Sequence, residues 1–293
     1  MSLIEVNQLE FSYTTDVPTL RGFDLHIEAG SVVGLLGRNG AGKTTLLRAL
    51  MGLMRPGKGT VKLFGADPVK EPIAVKQRIG YVSEDQILPE AWSLRQIVAM
   101  HREVFPNWDV EFAEELMVRF QIPGNKRVQE MSKGQARQVA LLCAVAHRPE
   151  LLILDEPGSG VDPVMRRELL ETAIELLADS GSTILFSSHH VGDVERLANR
   201  IVVMDYGQVV LDAELDDLKE GYCVVTAPQD DEAARRLRGT PGFLSLRVKN
   251  NLLRAVFAAS PEDLAGKLAG IPGAGASRVA LEDLFIDLVG GAI

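Results

Sequence analysis

The sequence predicts an α/β fold whose buried parallel strands carry polar residues at a shared edge. Three stretches predict it. Residues 31–36 (Ser-Val-Val-Gly-Leu-Leu) read as a short buried strand, and residues 45–51, after a glycine-rich turn, have helical spacing. Leu151-Leu152-Ile153-Leu154 is an unbroken apolar run ending in two acids, as a central parallel strand would be. Thr183 to Ser188 is a further run of this kind, closed by His189 and His190. Strands that alternate with helical patterns imply a parallel sheet covered by helices.

The first turn has a chemistry of its own. Gly37-Arg38-Asn39-Gly40-Ala41-Gly42-Lys43-Thr44-Thr45 fits G-x-x-x-x-G-K-[ST] between a strand and a helix. That geometry aims backbone N–H groups and a helix N-terminus at one point, which suits a polyphosphate. Gly37, Gly40 and Gly42 are read as allowing positive φ and close backbone approach. Lys43 is expected on the β- and γ-phosphates of ATP and the Thr44 hydroxyl on Mg²⁺. The plain alternative, a glycine-rich turn before a helix, is weakened by the second acidic strand end. There Asp155 is expected to hold Mg²⁺ through water and Glu156 to polarise the attacking water. Tyr13, at the end of the first strand, offers a ring face to adenine; a rim or core tyrosine is the alternative.

Composition limits the function classes. With 293 residues the chain can form one large or two ordinary domains. A net charge of −9 argues against nucleic acid as the main partner. Cys143 and Cys223 lack metal-type spacing, and Cys143 lies in an apolar helical run, so reduced thiols in a reducing compartment are expected. No signal peptide is visible and no apolar run nears the length of a membrane span, so a membrane role requires another subunit.

In chain order, residues 3–12 and 23–27 alternate as strands, and Glu28-Ala29-Gly30-Ser31 reads as a hairpin turn. Val61–Phe64 and Gly80–Val82 read as strands, the second preceded by the end of a short helix and followed by the polar Ser83-Glu84-Asp85-Gln86. Residues 91–121 are helical and divided at Pro106. Ser132 is a good N-cap for a helix running to about His147. A further helix is expected from Asp162-Pro163 to about Ser180, and strands over 201–204 and 209–211.

In this order the pieces resemble the ATP-binding subunit of an ABC transporter, over about residues 1–220. Besides the phosphate loop, the resemblance rests on Met131-Ser132-Lys133-Gly134-Gln135 against the LSGGQ signature, on Leu151 to Pro157, and on Ser159 to Asp162 followed by Ser187-Ser188-His189. It implies a P-loop NTPase core with an N-terminal antiparallel β subdomain and a helical subdomain at about 90–140. It implies two such subunits docked head to tail, with ATP between the phosphate loop of one and Ser132, Gly134 and Gln135 of the other. Asp162 would lie at the seam, and His189 would align the γ-phosphate and water with Glu156, while His190 is structural. A separate transmembrane permease would hold the protein at the cytoplasmic face of the membrane and insert a short helix near residues 83–90, where Trp92 is a contact or a core residue.

Two positions depart from the family pattern. Lys133 stands where the signature has glycine. The glutamine that follows the strand at Gly80–Val82 is replaced, with Glu84 taken as the metal-side residue and Gln86 as its rival.

Residues 221–293 are expected to form a small α+β accessory domain. The order βαββαβ, with a last strand at Arg278-Val279-Ala280, suggests a ferredoxin-like module. The segment 281–288 resembles the closing helix of the drug- and antibiotic-export branch, which points to an exporter. A soluble ABC-type ATPase acting on a macromolecular partner is the alternative; its usual paired cassettes or coiled-coil insertion are not in this chain. A GTPase lacks its N-K-x-D reader here, and a serine hydrolase its G-x-S-x-G elbow.

Overall fold

The structure is a computed structural model that describes residues 2–13, 17–85, 88–178, 181–278 and 280–289. Alternating apolar positions let β1 (Ser2–Phe11) and β2 (Leu20–Glu28) bury one face each, and the two pair antiparallel. Then β3 (Val32–Gly37) enters a different sheet, pairing in parallel with strands that arrive far later in the chain. The turn at Glu28–Ser31 is therefore not a hairpin. Turn residues specify that the chain reverses, whereas burial of β3 on both faces decides which sheet receives it.

After β3 come α1 (Lys43–Leu50), β4 (Lys58–Leu63), α2 (Pro72–Lys76) and β5 (Ile79–Val82). β4 completes a three-stranded antiparallel sheet in the order β2-β1-β4. The helical layer follows: α3 (Leu94–Val104), α4 (Val110–Arg119) and α5 (Lys133–Val145), with Pro106 between the first two. Ser93, Asp109 and Ser132 cap them, each accepting from the backbone N–H three residues on. β6 (Leu151–Leu154), α6 (Pro163–Ala178), β7 (Thr183–Ser188), α7 (Val191–Leu197), β8 (Arg200–Asp205), β9 (Gln208–Glu214) and α8 (Leu215–Gly221) complete the α/β unit. Its sheet runs β5-β6-β7-β3-β8-β9, parallel except for β9.

Strand periodicity splits the core. Leu152, Leu154 and Leu36 face α3, α4 and α5, while Ile153, Leu185, Val33 and Leu35 face α1 and the three-stranded sheet. Gly80 is required where β5 passes α5, because a Cβ there would stand 2.1 Å from the Ala144 carbonyl oxygen.

The remaining elements are β10 (Cys223–Pro228), α9 (Asp231–Arg238), β11 (Phe243–Lys249), β12 (Leu252–Phe257), α10 (Pro261–Leu268), β13 (Gly275–Ser277) and α11 (Leu281–Val289). The strands form an antiparallel sheet in the order β11-β12-β10-β13, a split β-α-β arrangement. The last strand lies at Gly275–Ser277 rather than at Arg278–Ala280, and Val279 is outside the described residues. Small residues there carry little strand signal; backbone pairing to Val224–Thr226 sets the strand. One face of this sheet is closed by α9 and α10. The other meets α11, and Val224, Val256, Leu281 and Leu284 join the core cluster of the α/β unit.

Candidate functional site

The C-terminal ends of β3, β6 and β7 lie side by side, which is where open α/β sheets bind ligands. The loop after β3 is shaped by its glycines. Gly40 and Gly42 have φ of 84° and 105°, in the left-handed region. Gly37 does not adopt positive φ; what requires glycine there is space, since a Cβ would stand 2.7 Å from the Met204 carbonyl oxygen. Ala41 is buried behind the loop.

Lys43 opens α1 and is 6% exposed. Its Nζ donates to the Gly37 carbonyl at 2.7 Å and lies 3.2 Å from Glu156 Oε1. Thr44 Oγ1 donates to Asp155 Oδ1 at 3.2 Å. The buried Ser187, from the end of β7, donates from Oγ to the same oxygen at 2.8 Å and accepts the Glu156 N–H at 2.8 Å. That last bond holds Glu156 in a strained backbone conformation with φ of 44°. His189 Nδ1 lies 2.8 Å from Glu156 Oε2.

The electrostatics follow from burial. Desolvation raises the Asp155 pKa, and the Glu84 and Glu156 charges add to it against hydrogen bonds from Ser187 and Thr44. Asp155 Oδ2 is buried with no hydrogen-bond partner among the described residues. An orphan carboxylate oxygen beside Thr44, with Glu84 lining the same cleft, is the hard-oxygen donor set that suits Mg²⁺. The residues present therefore fit the metal.

The cleft over these groups has a volume of about 400 Å³, in the range of small-molecule sites. Its walls include Arg38, Asn39, Gly40, Gly42, Lys43, Thr44 and Thr45 from the loop, and Glu84, Glu156 and His189 from other elements. Tyr13 stands exposed at the rim, with its hydroxyl 3.3 Å from Thr45 Oγ1 and its ring edge-on to Phe11. Ser159 Oγ donates to Glu84 Oε1 at 3.3 Å. Gln86, the rival of Glu84, lies outside the described residues.

Ser132, Gly134, Gln135 and Asp162 do not line this cleft. Ser132 and Gln135 form a reciprocal cap at the start of α5, and Asp162 accepts the Val164 and Met165 N–H groups at the start of α6. Gly134 is packed against Met165, and the exposed Lys133 reaches toward Gly160. His190 precedes α7 at its N-cap position, its ring lies tilted against that of His189 at 4.0 Å, and burial lowers its pKa. Trp92 remains 39% exposed.

Sequence reasoning missed Thr19, which lines the cleft, and Arg137, which supports it, and quoted Ser159 and Ser187 as motif positions without giving them the lining and supporting roles they have here. Ser187 had a signal, a hydroxyl at the end of an apolar strand. Thr19 had none.

The ABC transporter family model matches residues 20–159. The chain is 35% identical over 236 residues to the ABC transporter ATP-binding protein YtrB of Bacillus subtilis, covering 80% of each. It is 36% identical over 209 residues to the daunorubicin resistance ATP-binding protein DrrA3 of Streptomyces coeruleorubidus, covering 70% of this chain and 66% of that one. A solved ATP-binding subunit of an ABC transporter matches with a TM-score of 0.67 at 28% identity, covering 74% of this chain and 92% of that one. A dimeric ATP-binding cassette bound to ADP and Pi shares the fold, with a TM-score of 0.64 at 19% identity, covering 72% of this chain and 98% of that one. A chain this similar to such proteins, with its charged groups gathered at the matching sheet edge, belongs to the ABC transporter family as one of its ATP-binding subunits.

Proposed function

We propose that the chain hydrolyses ATP with Mg²⁺ and that two such subunits close on the nucleotide to drive a separate transmembrane permease in the direction of export. The observation that carries the chemistry is the convergence of Lys43, Asp155, Glu156 and His189 within a few ångströms at one sheet edge. Lys43 and the loop backbone would hold the β- and γ-phosphates, and Tyr13 the adenine ring. Thr44, Asp155 and Glu84 would hold Mg²⁺, which when bound neutralises phosphate charge. Glu156 takes a proton from the water that attacks the γ-phosphorus, as the bridging P–O bond breaks and ADP leaves with the electron pair. His189 holds the Glu156 carboxylate and faces the γ-phosphate position.

Dimer closure is supported by Ser132, Gly134, Gln135 and Asp162, which do not line the cleft of their own chain and would complete the cleft of a second subunit. Export is supported by the daunorubicin resistance relatives. Among the described residues no helix is long and apolar enough to cross a membrane; on this reading the permease would hold the chain at the cytoplasmic face. The test is ATP turnover with and without chelator, together with sizing of the Glu156→Gln chain in ATP. Metal-dependent turnover and an ATP-trapped dimer are expected. Turnover in excess chelator, or a monomeric trapped state, overturns the reading.

A further inference from the structure

Arg137 sits two residues beyond Gln135 on α5 and is 9% exposed. All its described hydrogen bonds go to main-chain carbonyls. Nη1 donates to the Ser83 oxygen at 2.9 Å, and Nη2 donates to the Glu84 oxygen and, at 3.3 Å, to the Ser159 oxygen. A guanidinium withdrawn from water onto neutral carbonyls is an unfavourable way to fill space, since an apolar side chain of that volume would be cheaper to bury. Its rigid planar fork does what an apolar chain cannot: it fixes separate backbones in one plane.

The segments it joins are those around the metal end of the cleft. Ser83 and Glu84 follow β5, Ser159 follows β6, and Arg137 belongs to the helix that Ser132 opens. Ser159 Oγ also donates to Glu84 Oε1, so the carboxylate is braced twice, through its own carbonyl and through Ser159. Removing the fork leaves those carbonyls without this donor and lets the Glu84 loop drift from Asp155.

We infer that Arg137 is a positioning residue: it sets the metal end of the nucleotide cleft by tying the Glu84 and Ser159 loops to the start of α5. This rests on the reading that Glu84 faces Mg²⁺. Support around metal ligands is typically worth about 10–100-fold in metal affinity. The consequence is also mechanical, because a shift of α5 then moves Glu84 directly.

The experiment uses the full chain with Mn²⁺ in place of Mg²⁺, followed by electron paramagnetic resonance in the presence of ATP. The affinity of a fluorescent ATP analogue without metal is measured alongside. Arg137→Met is expected to weaken Mn²⁺ by about tenfold or more and to leave metal-free nucleotide affinity within about twofold. Arg137→Lys, which keeps the charge and loses the fork, should fall between, and Ser159→Ala should show a smaller loss in the same direction. If Arg137→Met fails to fold, the Lys and Ser159→Ala variants decide alone. Unchanged Mn²⁺ binding in both, or equal losses of metal and metal-free nucleotide binding, overturns the inference. Glu84→Gln separates it from the reading beneath it. If Glu84→Gln weakens Mn²⁺ and the Arg137 variants do not, Arg137 has no such role while Glu84 keeps its own. If only the Arg137 variants weaken Mn²⁺, the bracing stands and Glu84 is not the group it presents.

Discussion

Two regions of this molecule bury a carboxylate against cations, and they use it in opposite ways. In the C-terminal sheet, Asp287 on α11 has a fully buried side chain between Arg247 of β11 and Arg254 of β12. Arg254 donates to both of its oxygens, Arg247 pairs with one, and Ser245 Oγ bonds the Asp287 carbonyl. In the nucleotide cleft, Asp155 Oδ2 has no partner among the described residues, and Glu156 Oε1 has the Lys43 ion pair but no directed hydrogen bond. The first carboxylate is saturated and fastens a helix to a sheet. The second pair keeps unused acceptor capacity, which is what a ligand needs.

The comparison can be broken most directly at Glu156. Glu156→Gln keeps the shape and removes the base, so turnover should fall by about 10²–10⁴-fold while nucleotide binding survives. Initial rates and nucleotide titration check this, and parent-like turnover would make Glu156 a fastener too. Asp287→Ala should do the reverse. Leaving two half-buried guanidiniums facing each other costs roughly 3–5 kcal/mol, read from urea unfolding, with metal-free nucleotide affinity unchanged.

His147 supplies a third case, a buried group that avoids charge altogether. It is 2% exposed, donates from Nε2 to the Ile79 carbonyl at 3.1 Å, and stacks on Phe105. Burial drives its pKa down to about 4. Between that value and an unfolded pKa near ~6.5 the unfolded chain binds the extra proton, so stability falls as pH falls through this window. The loss should reach roughly 2 kcal/mol by about pH 5, and His147→Gln should remove it from the difference between neutral and acid unfolding curves. The smallest effect is assigned to the exposed Lys133. Lys133→Gly should change turnover by no more than about threefold, and about 1 M salt should erase the difference.

What was legible in the sequence was local. The phosphate loop, the apolar run before Asp155 and the Ser132 cap are each written in consecutive residues, and each was located within a residue or two. Sheet membership was not legible, because the turn before Val32 is the same whether β3 returns to β2 or crosses to β7 and β8. The roles of Ser187 and Arg137 depend on partners 32 and 54 residues away, and neither residue type announces burial. Asp287 reads from sequence as one more acid on an amphipathic helix; only the two arginines opposite make it interior. Of the two reasons given for Gly37, close backbone approach holds, to the Met204 carbonyl, and positive φ does not.

The Lys43–Glu156 contact sets the loop's buried ammonium against a carboxylate across the cleft. If Lys43 holds the phosphates as proposed, an arriving triphosphate would compete with that carboxylate for the ammonium, so loading would exchange one anion for another. Among the described residues, the acid would then keep His189 as its side-chain partner. On the proposed function, the event that delivers the bond to be cut would also release the acid proposed to accept the proton.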